Sequence, residues 1–428
     1  MNFKEHLKRY LSESEINNLI SSLTNERTHF LILNTNKMNK EQFKKEFPNI
    51  KEFALIDNAF SYDDNEYHFG KNYYFDNGVY YIMDSASMLV SNSLDYIDGE
   101  NVLDMCAAPG GKSIIACLKN KNINLLSNDL SYQRALVLSS NIEKMGFGNV
   151  TITSTDLSRH IGQFNKTFDH IILDTPCSGS AMFRKLEEME KDWTYEKVLK
   201  CQNTQRILIE NAYLMLKEGG SMVYSTCSFS YEEDEEIILE FLKNHDDVHI
   251  VKLEDNPQFF HSKELPEAIH LFPSLFNGEG QFFCVLKKDG ISLKEEKYKG
   301  FTRDFEKIED SYDLNFASDE LINNTNLYCF NNRFNLKGIS TLRNGLFVGE
   351  INKNIFKPSF HLAHYLSSNN SIILNDEERK MYLHGDTFNK LINKPNGFYV
   401  VSYNNINLGF VKNINNTLKN FYPKGLRH

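Results

Sequence analysis

No run of about 18 apolar residues occurs in the chain, so no membrane span is expected. The opening stretch, MNFKEHLKRYLSESE, alternates charges and lacks the apolar centre of a secretory signal, which points to the cytoplasm. Cysteine is scarce: seven occur in 428 residues, an odd number, and none forms a Cys-x-x-Cys pair. That argues against a disulfide framework and against a clustered metal site. HExxH is absent too, so no metal is expected. GxGxxG is missing, which disfavours a nicotinamide-type oxidoreductase. A Walker phosphate loop is also excluded, because Cys106 stands where it needs its first glycine, five residues before Gly111. Basic residues are outnumbered, 47 Lys and Arg against 57 Asp and Glu, and the net charge of −10 does not by itself suggest a nucleic-acid partner.

What the chain does contain is ordinary globular material, 41% hydrophobic and 24% charged, enough for two or three domains. Residues 1–83 read as a small α+β domain. Helical spacing covers 3–10 and 15–23, with Ser12 or Ser14 as N-cap; a strand is expected at 29–34 and a short helix at 40–46, ended before Pro48. Residues 62–81 are rich in aromatics, with His68 and Lys71 among them. Such rings can stack RNA bases, but strand-core packing is the favoured reading. From 84 to 288, short apolar strands alternate with amphipathic helices: strands at 102–105, 125–128, 150–153, 170–173, 221–225, 249–253 and 282–286, helices at 132–145 and 203–216. The second of these helices is expected to stop at the glycine pair of Lys217-Glu218-Gly219-Gly220. Seven strands with intervening helices predict a doubly wound, mostly parallel α/β sheet in three layers. Residues 289–300 read as a charged linker, and 301–428 as a separate module. Its clearest part is a strand pair, 397–402 and 408–412, turning at Asn404-Asn405. Its end, 410–428, carries Lys412, Lys419, Lys424 and Arg427 and no acidic side chain, a local basic patch suited to phosphates.

The stretch that organises the chain is NVLDMCAAPGGKS, 101–113. A buried strand runs into the turn Pro109-Gly110-Gly111 and then into an apolar helix, the first βα crossing of a doubly wound sheet. Bare N–H groups at such a helix start attract an anion. Ligands of these folds lie at the carboxyl ends of the strands, and Asp104, Asp129, Asp156, Asp174 and Cys227 fall there. Asp129 lies 19 residues beyond Gly110, a spacing at which a carboxylate takes ribose hydroxyls; Asp156 is placed to meet an adenine edge.

Four segments resemble the Nol–Nop–Sun family of S-adenosylmethionine-dependent RNA cytosine-5 methyltransferases, in its bacterial small-subunit ribosomal-RNA branch: CAAPGGK at 106–112, NDLSYQR at 128–134, DTPCSG at 174–179 and YSTCS at 224–228. Glu233-Asp234-Glu235 and LFPSLFNGEGQFF at 271–283 also match, and the closing 22 residues look like a PUA-like RNA-binding module. The resemblance implies a Rossmann-like methyltransferase sheet between a small N-terminal RNA-binding domain and the C-terminal module. It implies that Cys106, Ala107, Ala108, Pro109, Gly110, Gly111, Lys112, Asp129, Arg134, Asp156 and Asp174 bind S-adenosylmethionine. It also implies that Cys227 is the nucleophile, that Cys177 helps release product, and that Asp174 and Lys112 assist them. The partner would be RNA (small-subunit ribosomal RNA or the small subunit), met by a cytoplasmic monomer.

The chemistry accounts for two thiols. Carbon 5 of cytosine is a poor nucleophile until a thiolate adds to carbon 6; the adduct must then lose its carbon-5 proton and expel the thiol. A free thiol has a pKa of roughly 8.5, so the nucleophile needs activation from its surroundings. A lone cysteine is usually a small buried hydrophobe, the reading for Cys117, Cys201, Cys284 and Cys329, while Cys106 is expected to contribute backbone. The acidic run 232–236 is read as a helix first turn favoured by the macrodipole, without a catalytic role. The chain departs from the family pattern at Met83-Asp84-Ser85, at Ala181 and at Ile32, while the cofactor turn and both cysteines keep it. The alternatives are a transfer-RNA methyltransferase and a non-catalytic ribosome-assembly factor that binds RNA.

Overall fold

A computed structural model describes residues 2–184, 190–291, 319–323, 326–330, 334–352, 355–366 and 371–427. Most of the expected linker, and the start of the module after it, lie outside the described residues. The N-terminal part contains helices α1 (Phe3–Leu7), α2 (Glu13–Ser22), α3 (Lys40–Glu46) and α4 (Tyr73–Asp76). Its strands are β1 (His29–Leu33), β2 (Lys51–Glu52), β3 (Ala59–Tyr62) and β4 (Tyr80–Ile82), an antiparallel sheet in the order β2-β3-β1-β4. Ser12 and Glu15 form a reciprocal capping box that starts α2, as Ser12's side chain suits an orphan helix N–H. After α5 (Ser85–Asn92) the large sheet begins.

Its parallel strands are β5 (Asn101–Asp104), β6 (Asn124–Asn128), β7 (Val150–Thr153), β8 (Phe168–Asp174) and β9 (Leu216–Thr226). α6 (Gly111–Lys119) links β5 to β6, and α7 (Tyr132–Met145) links β6 to β7. Antiparallel β10 (Val248–Val251), β11 (Ile269–Leu271) and β12 (Gln281–Lys288) extend one edge. The order is β10-β12-β9-β8-β5-β6-β7, so the winding reverses between β5 and β8, where such sheets open a ligand crevice. Val102 and Leu103 point into opposite cores, Val102 with Ile114 and Ile142, Leu103 with Ile171 and Ile209. Being buried on both faces explains why these strands read as continuous apolar runs. Each fully buried Ile or Leu of α6 and the sheet contributes roughly 1.5–3 kcal/mol.

Two expectations about this unit are corrected. The long helix runs Tyr195–Met215 and ends ahead of the glycine pair, because Leu216 is already extended and pairs with Phe168. Lys217 joins it in the sheet, its ammonium 3.0 Å from Asp169. The sheet also holds nine strands among the described residues: β11 is one addition, and the other is β15 below.

The C-terminal strands are β13 (Asp319–Asn323), β14 (Asn326–Phe330), β15 (Thr341–Asn344), β16 (Leu346–Asn352), β17 (Ile355–Pro358), β18 (Ile372–Ile373), β19 (Phe388–Asn389), β20 (Gly397–Tyr403), β21 (Ile406–Ile414) and β22 (Thr417–Asn420). β15 lies antiparallel on β7, and the buried Arg343 guanidinium donates to Phe147 O. The β20–β21 hairpin turns at Asn404 and Asn405, both left-handed (φ 48° and 62°), the geometry that suits the right-handed twist of paired strands. Leu31, Phe43 and Tyr80 share one core with Ile372, Tyr382 and Leu418, so the N-terminal sheet and the last sheet pack together. The aromatics of 62–81 are mainly core: Tyr62, Phe69, Tyr74, Tyr80 and Tyr81 are buried, while His68 and Lys71 are exposed. In the basic tail the Tyr422 ring is buried between Phe360 and Tyr382, and Phe421 leans on Phe398. No described helix is long and apolar enough to cross a membrane.

Candidate active site

The turn after β5 is laced to the ends of β6 and α7. Ala107 N donates to Asn128 O (2.8 Å), Ala108 N to an Asp129 carboxylate oxygen (3.3 Å), and Arg134 to Ala108 O (2.7 Å). Arg134 also lies 3.4 Å from Asp129. The Ala108–Pro109 peptide is cis. Gly110 has φ +113°, and a Cβ there would lie 2.9 Å from the Leu138 side chain, so only glycine fits the turn. Gly110 caps α6 without a side-chain bond, leaving the helix N–H groups bare toward the crevice. Bare donors, a buried carboxylate at the β6 end and a close-approach turn suit a ligand carrying an anionic group and a diol.

Beneath the turn, Asp104 is fully buried. Ser113 Oγ donates to it (2.6 Å) and in turn meets Ser127 Oγ (2.8 Å). Burial pushes the Asp104 carboxyl up to about 7. Burial pushes the Cys106 thiol well above its ordinary range. Asp156 is not drawn in: its carboxylate caps the turn after β7, accepting from Ser158 N and Oγ (3.1 and 2.6 Å) and pairing with Arg159.

Across the crevice, Lys112 and Asp174 meet at 2.8 Å. Burial opposes the Lys112 charge, but the negative groups around it, Asp174 first and then Asp104, together hold the ammonium above its ordinary pKa. The other Asp174 oxygen accepts from Ser225 Oγ (2.7 Å) and Gln281 Nε2 (3.1 Å). Three residues on, Cys177 Sγ lies 2.9 Å from Cys227 Sγ. The hydrogen bond to Cys227, then burial, raises the Cys177 thiol well above its ordinary value, so Cys177 keeps its proton beside Cys227. Cys117 and Cys284 are buried; for Cys329 the side chain lies outside the described residues.

The acidic run corrects its expected reading. The helix starts only at Glu235 (Glu235–Asn244), and Glu232, Glu233, Asp234 and Glu235 are all buried, each with its own partner. Glu232 pairs with His6 of α1 (3.2 Å) and with Arg9 just after it (2.6 Å), Asp234 accepts from Thr226 Oγ1 (2.5 Å), and Glu235 meets His270 (2.7 Å). Asp234, Glu235 and His270 have ligand atoms within 4.8 Å of one another, a grouping of metal-binding residue types that sequence spacing could not foresee. Glu233 accepts from Ser178 N and Oγ and from Ser228 Oγ. Gln281, inside the 271–283 segment, and Ser225, inside YSTCS, were likewise missed; their signal is that each lies within a matching motif. At the Met83-Asp84-Ser85 departure, Asp84 caps α5 and accepts from Glu279 N (2.8 Å), tying it to the same segment.

The family model for the 16S rRNA methyltransferase RsmB/F matches residues 91–287; models for the RsmF rRNA methyltransferase first C-terminal domain and the methyltransferase RsmF PUA domain match 304–366 and 369–428. The ribosomal RNA small subunit methyltransferase F of Shewanella piezotolerans is 31% identical over 381 residues, covering 82% of this chain and 79% of its own. That of Vibrio vulnificus is 30% identical over 377 residues, with the same coverage of 82% and 79%. A methyltransferase homolog protein from Pyrococcus horikoshii superposes with a TM-score of 0.57 at 27% identity, covering 66% of this chain and 93% of that one. NSun6 from the same organism, solved with SFG, has a TM-score of 0.60 at 18% identity over 68% of this chain and 98% of that one, a likeness of fold.

Proposed function

The chain belongs to the bacterial 16S rRNA methyltransferase RsmB/F family, and we propose that it methylates carbon 5 of a cytidine in small-subunit ribosomal RNA through a covalent Cys227–cytosine adduct that Cys177 helps resolve. It is an RNA methyltransferase that uses S-adenosylmethionine, which when bound supplies an electrophilic methyl group. The observation that carries the cytosine-5 reading is the pair of thiols 2.9 Å apart beside the Lys112–Asp174 pair. We assign residues 84–288 to catalysis and the flanking parts, 1–83 and 301–428, to RNA, in a cytoplasmic monomer.

The α6 N–H groups and the 106–112 turn hold the cofactor's anionic end, and Asp129, oriented by Arg134, takes the ribose. Asp156 is left for the adenine side, where its exposed carboxylate is already half occupied by Ser158. The target base must leave its stack to reach the crevice. Cys227 then forms the bond to carbon 6, and the electrons of the 5,6 double bond make carbon 5 nucleophilic. Asp174, braced by Lys112, Ser225 and Gln281, accepts from the amino group at the N4 edge, and the Lys112 ammonium beside it offsets the negative charge the ring takes up as the bond forms. Loss of the carbon-5 proton returns its electrons to the ring and breaks the bond to Cys227. While Cys227 is bonded to carbon 6, Cys177 no longer has a free thiol beside it, which removes the largest cause of its raised pKa, so that it ionises and, as the thiolate, takes the carbon-5 proton.

Bisulfite sequencing of ribosomal and transfer RNA from a strain lacking the protein identifies the target; loss of a cytidine signal in transfer RNA alone would overturn the ribosomal assignment. Cys227→Ala should abolish both methyl transfer and any covalent enzyme–RNA species. Cys177→Ala should transfer the methyl group and stall as a slower, RNase-sensitive band on a denaturing gel. Accumulation of that band with Cys227→Ala and none with Cys177→Ala would reverse the roles.

A further inference from the structure

We propose that Glu233 is a positioning residue that holds the two thiol-bearing loops in register, so that the short Cys177–Cys227 distance depends on one buried carboxylate; this rests on the two-thiol reading above. Glu233 is fully buried, as are Ser178, Ser228 and Gln205 around it. One of its oxygens accepts from Ser178 N (2.8 Å) and Gln205 Nε2 (3.2 Å). The other accepts from Ser178 Oγ (2.5 Å) and Ser228 Oγ (2.7 Å). Ser178 directly follows Cys177, and Ser228 directly follows Cys227. One carboxylate therefore binds the residue after each thiol, and the two serine hydroxyls also meet at 3.1 Å. Gln205 completes the frame from the other side, donating to Pro176 O (2.9 Å), so Cys177 is held through both of its neighbours.

The carboxylate is itself fixed. Tyr224 Oη donates to Glu233 O (2.7 Å), and Gln202 donates to Glu232 O (2.9 Å), which pins the turn that carries it to β9 and to the long helix. Other bonds join the loops, namely Ala181 N to Cys227 O (3.0 Å) and Phe229 N to Ser180 Oγ (2.8 Å). Those hold the Cys227 carbonyl and the chain after the thiols. Glu233 alone gathers four donors from both loops and the helix, so its removal strands buried hydroxyl and amide groups beside the sulfurs. Asp234 and Glu235, next in the chain, face different partners, Thr226 and His270, and give the loops no such link.

The test reads thiol registration without turnover. Dibromobimane bridges two neighbouring thiols, each thiolate displacing one bromide, and becomes fluorescent only when both have reacted. Wild type should be bridged and Cys177→Ala not. In Glu233→Ala bridging should slow at least about tenfold and kcat fall about 10²-fold, the scale on which a misplacement near 1 Å acts. S-adenosylmethionine affinity should stay within about twofold, since the cofactor turn is untouched. Glu233→Gln keeps the shape and one acceptor, and should recover most of the bridging and of kcat, while Ser228→Ala, losing one strut, should fall between. Unchanged bridging in Glu233→Ala overturns the proposal. So does loss of bridging together with cofactor binding that Glu233→Gln fails to restore, since that marks a purely structural residue. A wild-type protein that is bridged but transfers no methyl group refutes the methylation reading, and the bridging rates still decide the role of Glu233.

Discussion

Replacing Asp104 by asparagine isolates a buried carboxyl whose cost can be worked from its surroundings. Asp104 sits at the end of β5 with no solvent exposure; one oxygen accepts from Ser113 at 2.6 Å, and burial raises the group from 3.8 to about 7. The folded state therefore prefers the protonated acid. Below pH about 4 the group is protonated whether folded or unfolded and contributes nothing to the pH dependence. Between pH about 4 and 7 the unfolded chain ionises first, and wild-type stability falls. Above about 7 both states are ionised and the whole cost is present. The interval from 3.8 to about 7, at ~1.4 kcal/mol per pH unit, comes to about 4 kcal/mol. Asp104→Asn does not titrate, so its stability relative to wild type should climb by up to about that amount across the window. Its amide keeps an acceptor for Ser113, and any packing cost is a constant offset that leaves the slope intact. Urea unfolding followed on the fluorescence of the sole tryptophan, the buried Trp193, at half-unit pH steps measures the difference. A difference that stays flat from pH 4 to 8 would refute the reasoning.

Asp129→Ala should weaken S-adenosylmethionine binding at least about tenfold by calorimetry, as a lost charge-assisted hydrogen bond does; unchanged affinity would remove the ribose assignment. The basic tail is better tested by charge than by deletion, because β15 and the shared apolar core tie the C-terminal part to the rest. Changing Lys412, Lys419 and Lys424 together to alanine should reduce the salt slope of RNA binding by roughly 0.7–0.9 for each lost phosphate contact; an unaltered slope would leave the tail without such contacts.

Local chemistry made much of this architecture legible. Buried parallel strands advertise themselves as apolar runs, so β5, β6 and β7 fall within a residue of where they are expected. α3 spans its expected residues, capped by Asn39 and stopped before Pro48. Asn404-Asn405 is a turn because asparagine tolerates positive φ on both residues. The strand-end acids and cysteines were visible because doubly wound sheets place ligands there. Composition and periodicity state which face of an element is buried, but not against what. That is why β15 on the edge of β7, with Asn344 paired to Thr151 from 193 residues earlier, was invisible, as was the docking of His6 in α1 and Arg9 just after it on the acidic turn. Glu233 is the sharpest case. Its neighbours in the chain are acids, which reads as a solvated helix start, and only folding shows it dry, with Ser178 55 residues upstream and Ser228 five residues before it. The sequence determined that two thiols belong to the carboxyl edge of one sheet. How far apart they stand was decided by side chains from three separate segments, because a buried carboxylate must collect its donors from whatever the fold brings within reach.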